Sequence, residues 1–331
     1  MSGQFLPRLK SRVSLPILMN ASIATTALWI TEHCRSLASK CVPNKNIDVG
    51  FDNYIFNIAP IFEKQLKRFT NDKAEISTQT VMCLVTDYWR KNKTIYDFSF
   101  SFLTELEKTE DAPVYTSILK KLPFTDYIMT IPSSTQKYNA MFVHIEFDGT
   151  DTLFLVCPFE ASKTPEHSSY CQCSIWCKDG KNVIETFKET YGEKTANYER
   201  FLKLAIAASY YLASKNAEIN KIQIPKDKRP TIITNRTKRP KRVNINSFVV
   251  GYKIGKRFET QVAYSNSQTK STKAECIISG KNKRPHVRRA HWHHYWTGEG
   301  RKNLEVRWIE PVFVLGTEAS NAVSHRVTGL V

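Results

Sequence analysis

Residues 139–157 read NAMFVHIEF-DGT-DTLFLVC, two apolar runs separated by Asp148, Gly149 and Thr150. Runs rich in β-branched and aromatic residues around a short turn-forming segment predict a β-hairpin. Downstream, residues 196–215 place Phe201 and Leu204 among apolar residues at helical spacing, which predicts a helix that packs on the sheet. The segment therefore predicts an antiparallel sheet with a packing helix. His144 lies inside the first strand, and we assign it no role.

Upstream of the hairpin, the sequence predicts helices over 17–40, 52–69, 72–91, 94–108 and 112–121. Their apolar residues recur at intervals of three and four, and Asn71 or Asp72 can cap the third helix. We therefore predict an α+β fold, in which a helical N-terminal region precedes a mostly antiparallel sheet. The predicted regions are a helical region (1–123), an α/β hairpin-plus-helix region (124–220), a basic linker or arm (221–245) and a basic β-rich C-terminal region (246–331).

Charge is distributed unevenly along the 331 residues. Residues 1–220 carry 25 Lys and Arg against 24 Asp and Glu, a balance of +1, whereas residues 221–331 carry 23 against 7, a balance of +16. The last third therefore holds nearly all of the net charge of +17. Such asymmetry is typical of a region that contacts a polyanion such as RNA or DNA, or an acidic protein or membrane surface.

Residues 221–242 are the densest basic segment, with nine Lys and Arg, three prolines and one acid. The prolines discourage regular structure. The segment is interpreted either as a cationic arm that adds salt-sensitive affinity for phosphate or as a solvated loop. Its candidate binding residues are Arg239, Lys241 and Arg242. Beyond it, residues 248–255 and 257–264 are short runs of β type.

Eight cysteines are too few for a disulfide scaffold in a chain of this length, which favours a reducing, cytoplasmic location. The apolar run at 13–30 is interrupted by polar residues, so we expect no membrane span. His167, Cys171, Cys173 and Cys177 are a weak candidate zinc site, because the spacing C-x-C-x3-C is not a common one. Incidental thiols near a strand are the favoured interpretation, and no cofactor is predicted.

Residues 281–315, KNKRPHVRRAHWHHYWTGEGRKNLEVRWIEPVFVL, contain four of the eight histidines and three of the six tryptophans. We predict a strand that ends at Thr297 and pairs with 303–308 across a turn. Alternation along a strand separates two faces. One face carries Val287, Arg289, His291, His293 and Tyr295. The other carries Arg288, Ala290, Trp292, His294 and Trp296, and we expect this tryptophan face to be structural.

Several functions fit this segment. Arginines and aromatic rings are typical of nucleic-acid binding. Alternatively, His291 and His293, about 7 Å apart on one strand face, could act as acid and base of a ribonuclease, with Arg289 stabilising charge. A metal site on the two histidines would need a further ligand such as Glu299, Glu310 or Cys276. The remaining interpretation is a cationic, aromatic-rich hairpin that only holds the domain together.

The sequence RPHVRRAHWHHYWTG at 284–298, followed by VRWIEPVFV at 306–314, resembles the C-terminal signature of a type V-A anti-CRISPR family. The founding member of that family suppresses production of the type V-A effector nuclease. The signature corresponds here to Arg284, Pro285, His286, Val287, Arg288, Arg289, His291, Trp292, His293, Tyr295, Trp296, Trp308, Pro311 and Val314. Glu310 stands where the family usually has proline, and the resemblance covers about the last 45 residues.

The resemblance implies an accessory protein of a phage or plasmid that recognises a specific polypeptide, such as the nascent chain of a CRISPR effector. It also implies translation-dependent loss of the mRNA that encodes this effector. Together with the basic last third, it predicts a protein without classical catalysis that contacts RNA or the ribosome and a CRISPR effector or another host protein. The candidate binding residues are Arg284, His286, Arg288, Arg289, His291, Trp292, His293, Tyr295 and Trp296. A ribonuclease and a DNA-binding regulator are the alternatives.

Overall fold

The computed structural model describes residues 15–41, 59–68, 70–131, 137–162, 168–192, 196–234, 237–271 and 286–314. The helices in these ranges are α1 (Leu15–Cys41), α2 (Ala59–Leu66), α3 (Lys73–Asn92), α4 (Phe100–Glu107), α5 (Thr116–Leu119), α6 (Val183–Tyr191), α7 (Ala196–Ala213) and α8 (Tyr252–Ser271). The strands are β1 (Thr94–Phe98), β2 (Asp126–Thr130), β3 (Ala140–Asp148), β4 (Asp151–Phe159), β5 (Cys173–Cys177), β6 (Ile219–Ile222), β7 (Thr231–Thr234), β8 (Thr237–Arg242), β9 (Asn246–Val250), β10 (His286–Arg288), β11 (His291–Thr297), β12 (Asn303–Ile309) and β13 (Val312–Val314).

The predicted hairpin is the centre of a seven-stranded sheet in the order β5-β4-β3-β2-β1-β9-β6. Strands β3 and β4 pair in register around a tight turn, where Gly149 adopts a φ of +58° that favours glycine. Strand β1 runs parallel to β2 and β9, and the other pairings within the sheet are antiparallel. The predicted α+β class and the mostly antiparallel sheet are confirmed.

Helices cover both faces of the sheet. Helices α1, α2 and α3 pack on one face around Trp89 and Phe142. Helices α4, α6 and α7 pack on the other face together with β11 and β12. The predicted helix over 196–215 is confirmed as α7, and its Ser209 lies 2.7 Å from the Tyr127 hydroxyl of β2. Asp72 caps α3 as predicted, because its carboxylate accepts hydrogen bonds from the first-turn amides.

The predicted helix over 94–108 was wrong in its first half, where the chain forms β1, the strand between the parallel neighbours β2 and β9. All five residues of β1 are buried, so the strand lacks the alternation that marks a half-exposed strand. The predicted β-type runs at 248–255 and 257–264 were also wrong beyond Val250, because α8 begins at Tyr252. The Glu218 carboxylate accepts hydrogen bonds from the amides of Lys253 and Ile254, so a residue distant in sequence caps this helix.

The basic segment 221–245 contains regular structure, contrary to the expectation from its prolines. Strands β7 and β8 form a two-stranded antiparallel ribbon. Proline is tolerated there because each strand of a two-stranded ribbon has an outer edge that needs no hydrogen-bond donor. Arg239 lies in β8, and Lys241 and Arg242 in the same strand are exposed. Within the described ranges, no helix has the length and apolarity needed to cross a membrane.

Candidate functional site: the C-terminal hairpin

Strands β11 and β12 form the hairpin predicted from the histidine- and tryptophan-rich segment. Their antiparallel register runs from His291 opposite Ile309 to Thr297 opposite Asn303. The turn uses Gly298 and Gly300, both with positive φ. Gly298 has a φ of +79°, a left-handed backbone conformation that favours glycine, and a Cβ atom there would also lie 2.7 Å from the side-chain nitrogen Nδ2 of Asn303.

The inward face of the hairpin anchors it to the core through Trp308, which is 1% exposed. The Trp308 indole donates a hydrogen bond to the Thr109 hydroxyl, at 3.1 Å, and its ring meets Phe102 edge to face. The Asn216 side chain, beyond the end of α7, both donates to the Trp308 carbonyl and accepts from its amide. The end of the signature therefore fixes the hairpin to α4 and α7.

Trp292 and His294 complete the inward face of β11. The ring centroids of Trp292 and Tyr210 are 5.6 Å apart, and those of His294 and Tyr115 are 5.4 Å apart. The Tyr210 hydroxyl accepts a hydrogen bond from the Tyr115 amide and donates to the Pro113 carbonyl. Burial, followed by the charge of His293, lowers the pKa of His294. This histidine is therefore a packed neutral ring rather than a presented base.

The outward face of the hairpin carries the remaining chemically active side chains. His291 and His293 are exposed, and the His293 and Tyr295 rings pack at a tilt of 33° with centroids 4.1 Å apart. The Arg307 guanidinium, from the facing strand, lies 5.1 Å from the centre of the Tyr295 ring. Together, His291, His293, Tyr295 and Arg307 form what we call the outward cluster. It combines a cation with packed aromatic rings, an arrangement suited to phosphate and to unpaired bases.

Trp296 departs from the predicted structural tryptophan face. It stands opposite buried Leu304, yet 59% of its surface is exposed. Trp296 lies one residue before the end of β11, next to the turn of the hairpin. The prediction that the tryptophan face is structural therefore applies to Trp292 and was wrong for Trp296, which is a presented aromatic ring.

The predicted continuous strand from 287 to 296 is interrupted at Arg289 and Ala290. Strand β10 pairs with β13 instead of β12, so the signature folds into two short ribbons. Arg288, at the end of β10, and Arg289, within the break, are exposed and lie next to the outward cluster in sequence. His286 lies in β10, and Arg284 lies outside the described residues.

The structure describes three of the four candidate zinc ligands, Cys171, Cys173 and Cys177. Cys173 and Cys177 lie in β5 with their side chains in the core, and burial raises the pKa of both thiols, so they are neutral. The Cys171 thiol is hydrogen bonded to Tyr138, and burial raises its pKa too. His167 and Cys276 lie outside the described residues. Within the described ranges, no group of three His, Cys, Asp or Glu residues could hold a metal ion.

Two glutamates near the hairpin were candidates for the further ligand of a metal site on His291 and His293. Glu299 lies in the turn between β11 and β12, and Glu310 forms a 2.7 Å ion pair with Arg257 of α8. This ion pair gives a structural explanation for an acid at the position where the signature usually has proline.

His144 lies in a buried polar cluster that sequence reasoning missed. Its Nδ1 is 2.5 Å from Asp126, its Nε2 is 3.2 Å from Glu146, and its ring packs 4.4 Å from that of Tyr88. Burial alone would lower its pKa, but the hydrogen bonds and charges of Asp126 and Glu146 outweigh burial and raise it. Only Glu146, two residues along the same strand face, was a signal in the sequence.

Comparison with known proteins defines the family of this chain. Residues 96–316 match the sequence model of AcrVA2-like proteins, the anti-CRISPR type V subtype A2 family. The chain belongs to this family. The match extends far beyond the C-terminal signature to include the sheet, α4 to α8 and the hairpin, and it confirms the family resemblance. This AcrVA2-like chain is therefore an anti-CRISPR accessory protein.

Two further comparisons accompany the family match. A solved structure titled "Crystal structure of AcrVA2" aligns with 90% of this chain and 98% of that chain, at 17% sequence identity and a TM-score of 0.48. No curated protein sequence matches this AcrVA2-like chain.

Proposed function

We propose that this anti-CRISPR protein recognises a polypeptide of a CRISPR effector, such as its nascent chain, and causes translation-dependent loss of the mRNA that encodes it. In this proposal, the protein is encoded by a phage or plasmid and acts in the bacterial cytoplasm without catalysis of its own. The basic last third contacts RNA or the ribosome and so holds the protein near the message being translated.

The outward cluster is the observation that best supports the proposed contact with RNA. On the inward face, Trp292 and Trp308 pack against the core. On the outward face, His293, Tyr295 and Arg307 contact one another and are not part of the core. A ring pair with a guanidinium group above it offers a stacking surface and a phosphate contact in one place. Such a surface favours unpaired RNA, because the bases of a duplex are already stacked.

Exposed cations elsewhere in the basic third support the same proposal. Exposed Arg288 and Arg289 precede the outward cluster in sequence, and Lys241 and Arg242 are exposed on β8. These residues belong to the last third of the chain, whose balance is +16. Cations on a protein surface displace counterions from a polyanion, so RNA affinity should fall steeply as salt concentration rises.

A salt titration with fluorescently labelled single-stranded RNA tests the RNA contact. We expect the Arg288→Ala/Arg289→Ala/Arg307→Ala variant to bind more weakly than the native chain. The slope of log K against log salt should become shallower by about 0.7 for each phosphate that the variant no longer neutralises. Lys188→Ala is the matched control, because it removes a cation from an ion pair with Glu199 outside the basic third. An unchanged slope in the triple variant would contradict the proposed interface.

A further inference from the structure

We infer that a groove beside edge strand β5, outside the basic third of the chain, binds an extended peptide that carries a basic side chain next to a large apolar one. This inference rests on the proposed function, in which the protein recognises a polypeptide, and it assigns that recognition to a surface. The β5 groove is defined by its apolar part, lined by Val81, Leu84, Leu153, Leu155, Trp176 and Tyr191, and by an adjoining acidic cleft.

The apolar part lies where α3 meets the end of the sheet. Strand β5 is the last strand of the sheet on this side among the described residues. Trp176 and Tyr191 are 39% and 49% exposed, although the side chains beneath them, Leu153 and Leu155, are buried. Large aromatic side chains exposed over an apolar floor are typical of binding anchors.

The Tyr191 hydroxyl holds the rim of the groove in place. It donates a 3.0 Å hydrogen bond to the Ser174 carbonyl, and its ring packs against Phe187 with centroids 5.0 Å apart. The end of α6 is thereby fixed to β5, so the aromatic rim is formed before any ligand binds. A preformed rim reduces the entropy lost on binding.

The acidic cleft, of about 370 Å³, shares Trp176 with the apolar part. It is lined by the carboxylates of Asp151, Glu185 and Glu189 and by the ammonium groups of Lys178 and Lys181, which gives 2 − 3 = −1 in formal charge. Within the described ranges, none of the three carboxylates forms an ion pair. The cleft therefore retains acidic groups that a bound cation can pair with.

Charge and shape together define the ligand. The net negative cleft repels the polyanion that the basic third attracts, so the groove is not an extension of the RNA interface. A lysine or arginine side chain matches the carboxylates and can lie on the Trp176 ring, whereas a large apolar side chain matches the neighbouring floor. Because Trp176 borders both parts, a single short peptide segment can reach them together.

Peptide binding by the full chain tests the inference, with short fluorescent peptides that pair either Arg or Glu with a neighbouring Leu. We expect the Arg-Leu peptides to bind, the Glu-Leu peptides to bind at least about tenfold more weakly, and Trp176→Ala to lower the affinity for Arg-Leu peptides by about tenfold or more. Glu185→Gln/Glu189→Gln should lower that affinity and reduce its salt dependence. Equal binding of Arg-Leu and Glu-Leu peptides, or unchanged binding by Trp176→Ala, would overturn the inference.

Trp296→Ala provides a matched control, because it removes an exposed tryptophan from the hairpin instead of the groove. We expect Trp176→Ala to lose peptide binding and keep RNA binding, and Trp296→Ala to keep peptide binding. Loss of both activities in Trp176→Ala would contradict a separate peptide groove. If the groove fails this test while RNA binding and mRNA loss persist, the proposed function stands and only its assignment to the groove is wrong.

Discussion

The two faces of the β11–β12 hairpin differ in what they contribute, although their residues alternate along the same strands. The inward face buries Trp308 and packs Trp292 against Tyr210. The outward face exposes His291 and His293 and holds Arg307 over Tyr295. A family signature that looks like one motif in sequence is therefore two motifs in space. One attaches the hairpin to the fold, and the other is available to a ligand.

Substitutions on the two faces should differ most in their effect on the free energy of unfolding. Trp308→Ala should lower the free energy of unfolding by about 3–5 kcal/mol, because it leaves a cavity and removes the indole that donates to the Thr109 hydroxyl. Trp296→Ala should change it by less than about 0.5 kcal/mol, because the ring is mostly exposed. Denaturant unfolding of both variants measures this difference, and similar losses in the two would refute the division between the faces.

The outward face should show the reverse pattern, with function affected and stability retained. Tyr295→Ala removes the ring between His293 and Arg307 and should weaken binding of single-stranded RNA by about 1–3 kcal/mol. Fluorescence anisotropy measures the affinity, and Tyr191→Ala serves as the control because Tyr191 is an exposed tyrosine outside the basic third. If both substitutions weakened RNA binding equally, the outward cluster would have no special role.

The two exposed histidines distinguish binding from cleavage. Under the proposed function, His291→Ala/His293→Ala weakens RNA binding but leaves most of the translation-dependent mRNA loss, because the chain itself cleaves nothing. A ribonuclease that uses these histidines as acid and base would lose about 10²-fold or more in activity for each. Transcript levels in cells and RNA affinity in vitro, both for a folded double variant, measure this, and complete recovery of the mRNA with RNA binding retained would favour the ribonuclease.

The smallest effect that we expect is a pH dependence of stability that comes from buried His144 and not from the two exposed histidines. The folded-state pKa of His144 is raised by Asp126 and Glu146, so its stabilising contribution is fully present below its ordinary pKa of 6.5 and is lost as pH rises through the folded-state value. Stability should therefore decline as pH rises above 6.5, and His144→Gln should remove this part of the decline. Unfolding measured from about pH 6 to about pH 9 tests the sign. A decline that disappears in His291→Ala/His293→Ala instead would contradict it.

Local periodicity was sufficient to predict much of the architecture from the sequence. The β3–β4 hairpin, α7 and the pairing of β11 with β12 follow from runs and spacings within each segment. The alternation of faces also placed His291 and His293 outside. It did not place Trp296 correctly, because alternation assigns a residue to a face but does not determine whether other elements cover it.

The features that the sequence did not predict depend on distant contacts. Helix α8 begins where it does because the Glu218 carboxylate caps it, and β1 is a strand because β2 and β9 pair with it on both sides. The cluster around His144 arises from the register that sets Asp126 opposite it. The β5 groove likewise combines α3, β5 and α6, so no single stretch of sequence carries its pattern.

Loss of effector mRNA in cells tests the proposed function most directly. Two reporter transcripts carry the same effector coding sequence, one with an intact start codon and one with the start codon removed. The native chain should deplete only the translated transcript, and Arg288→Ala/Arg289→Ala/Arg307→Ala should deplete it much less while remaining folded. Equal depletion of both transcripts, or full activity of the triple variant, would contradict the account.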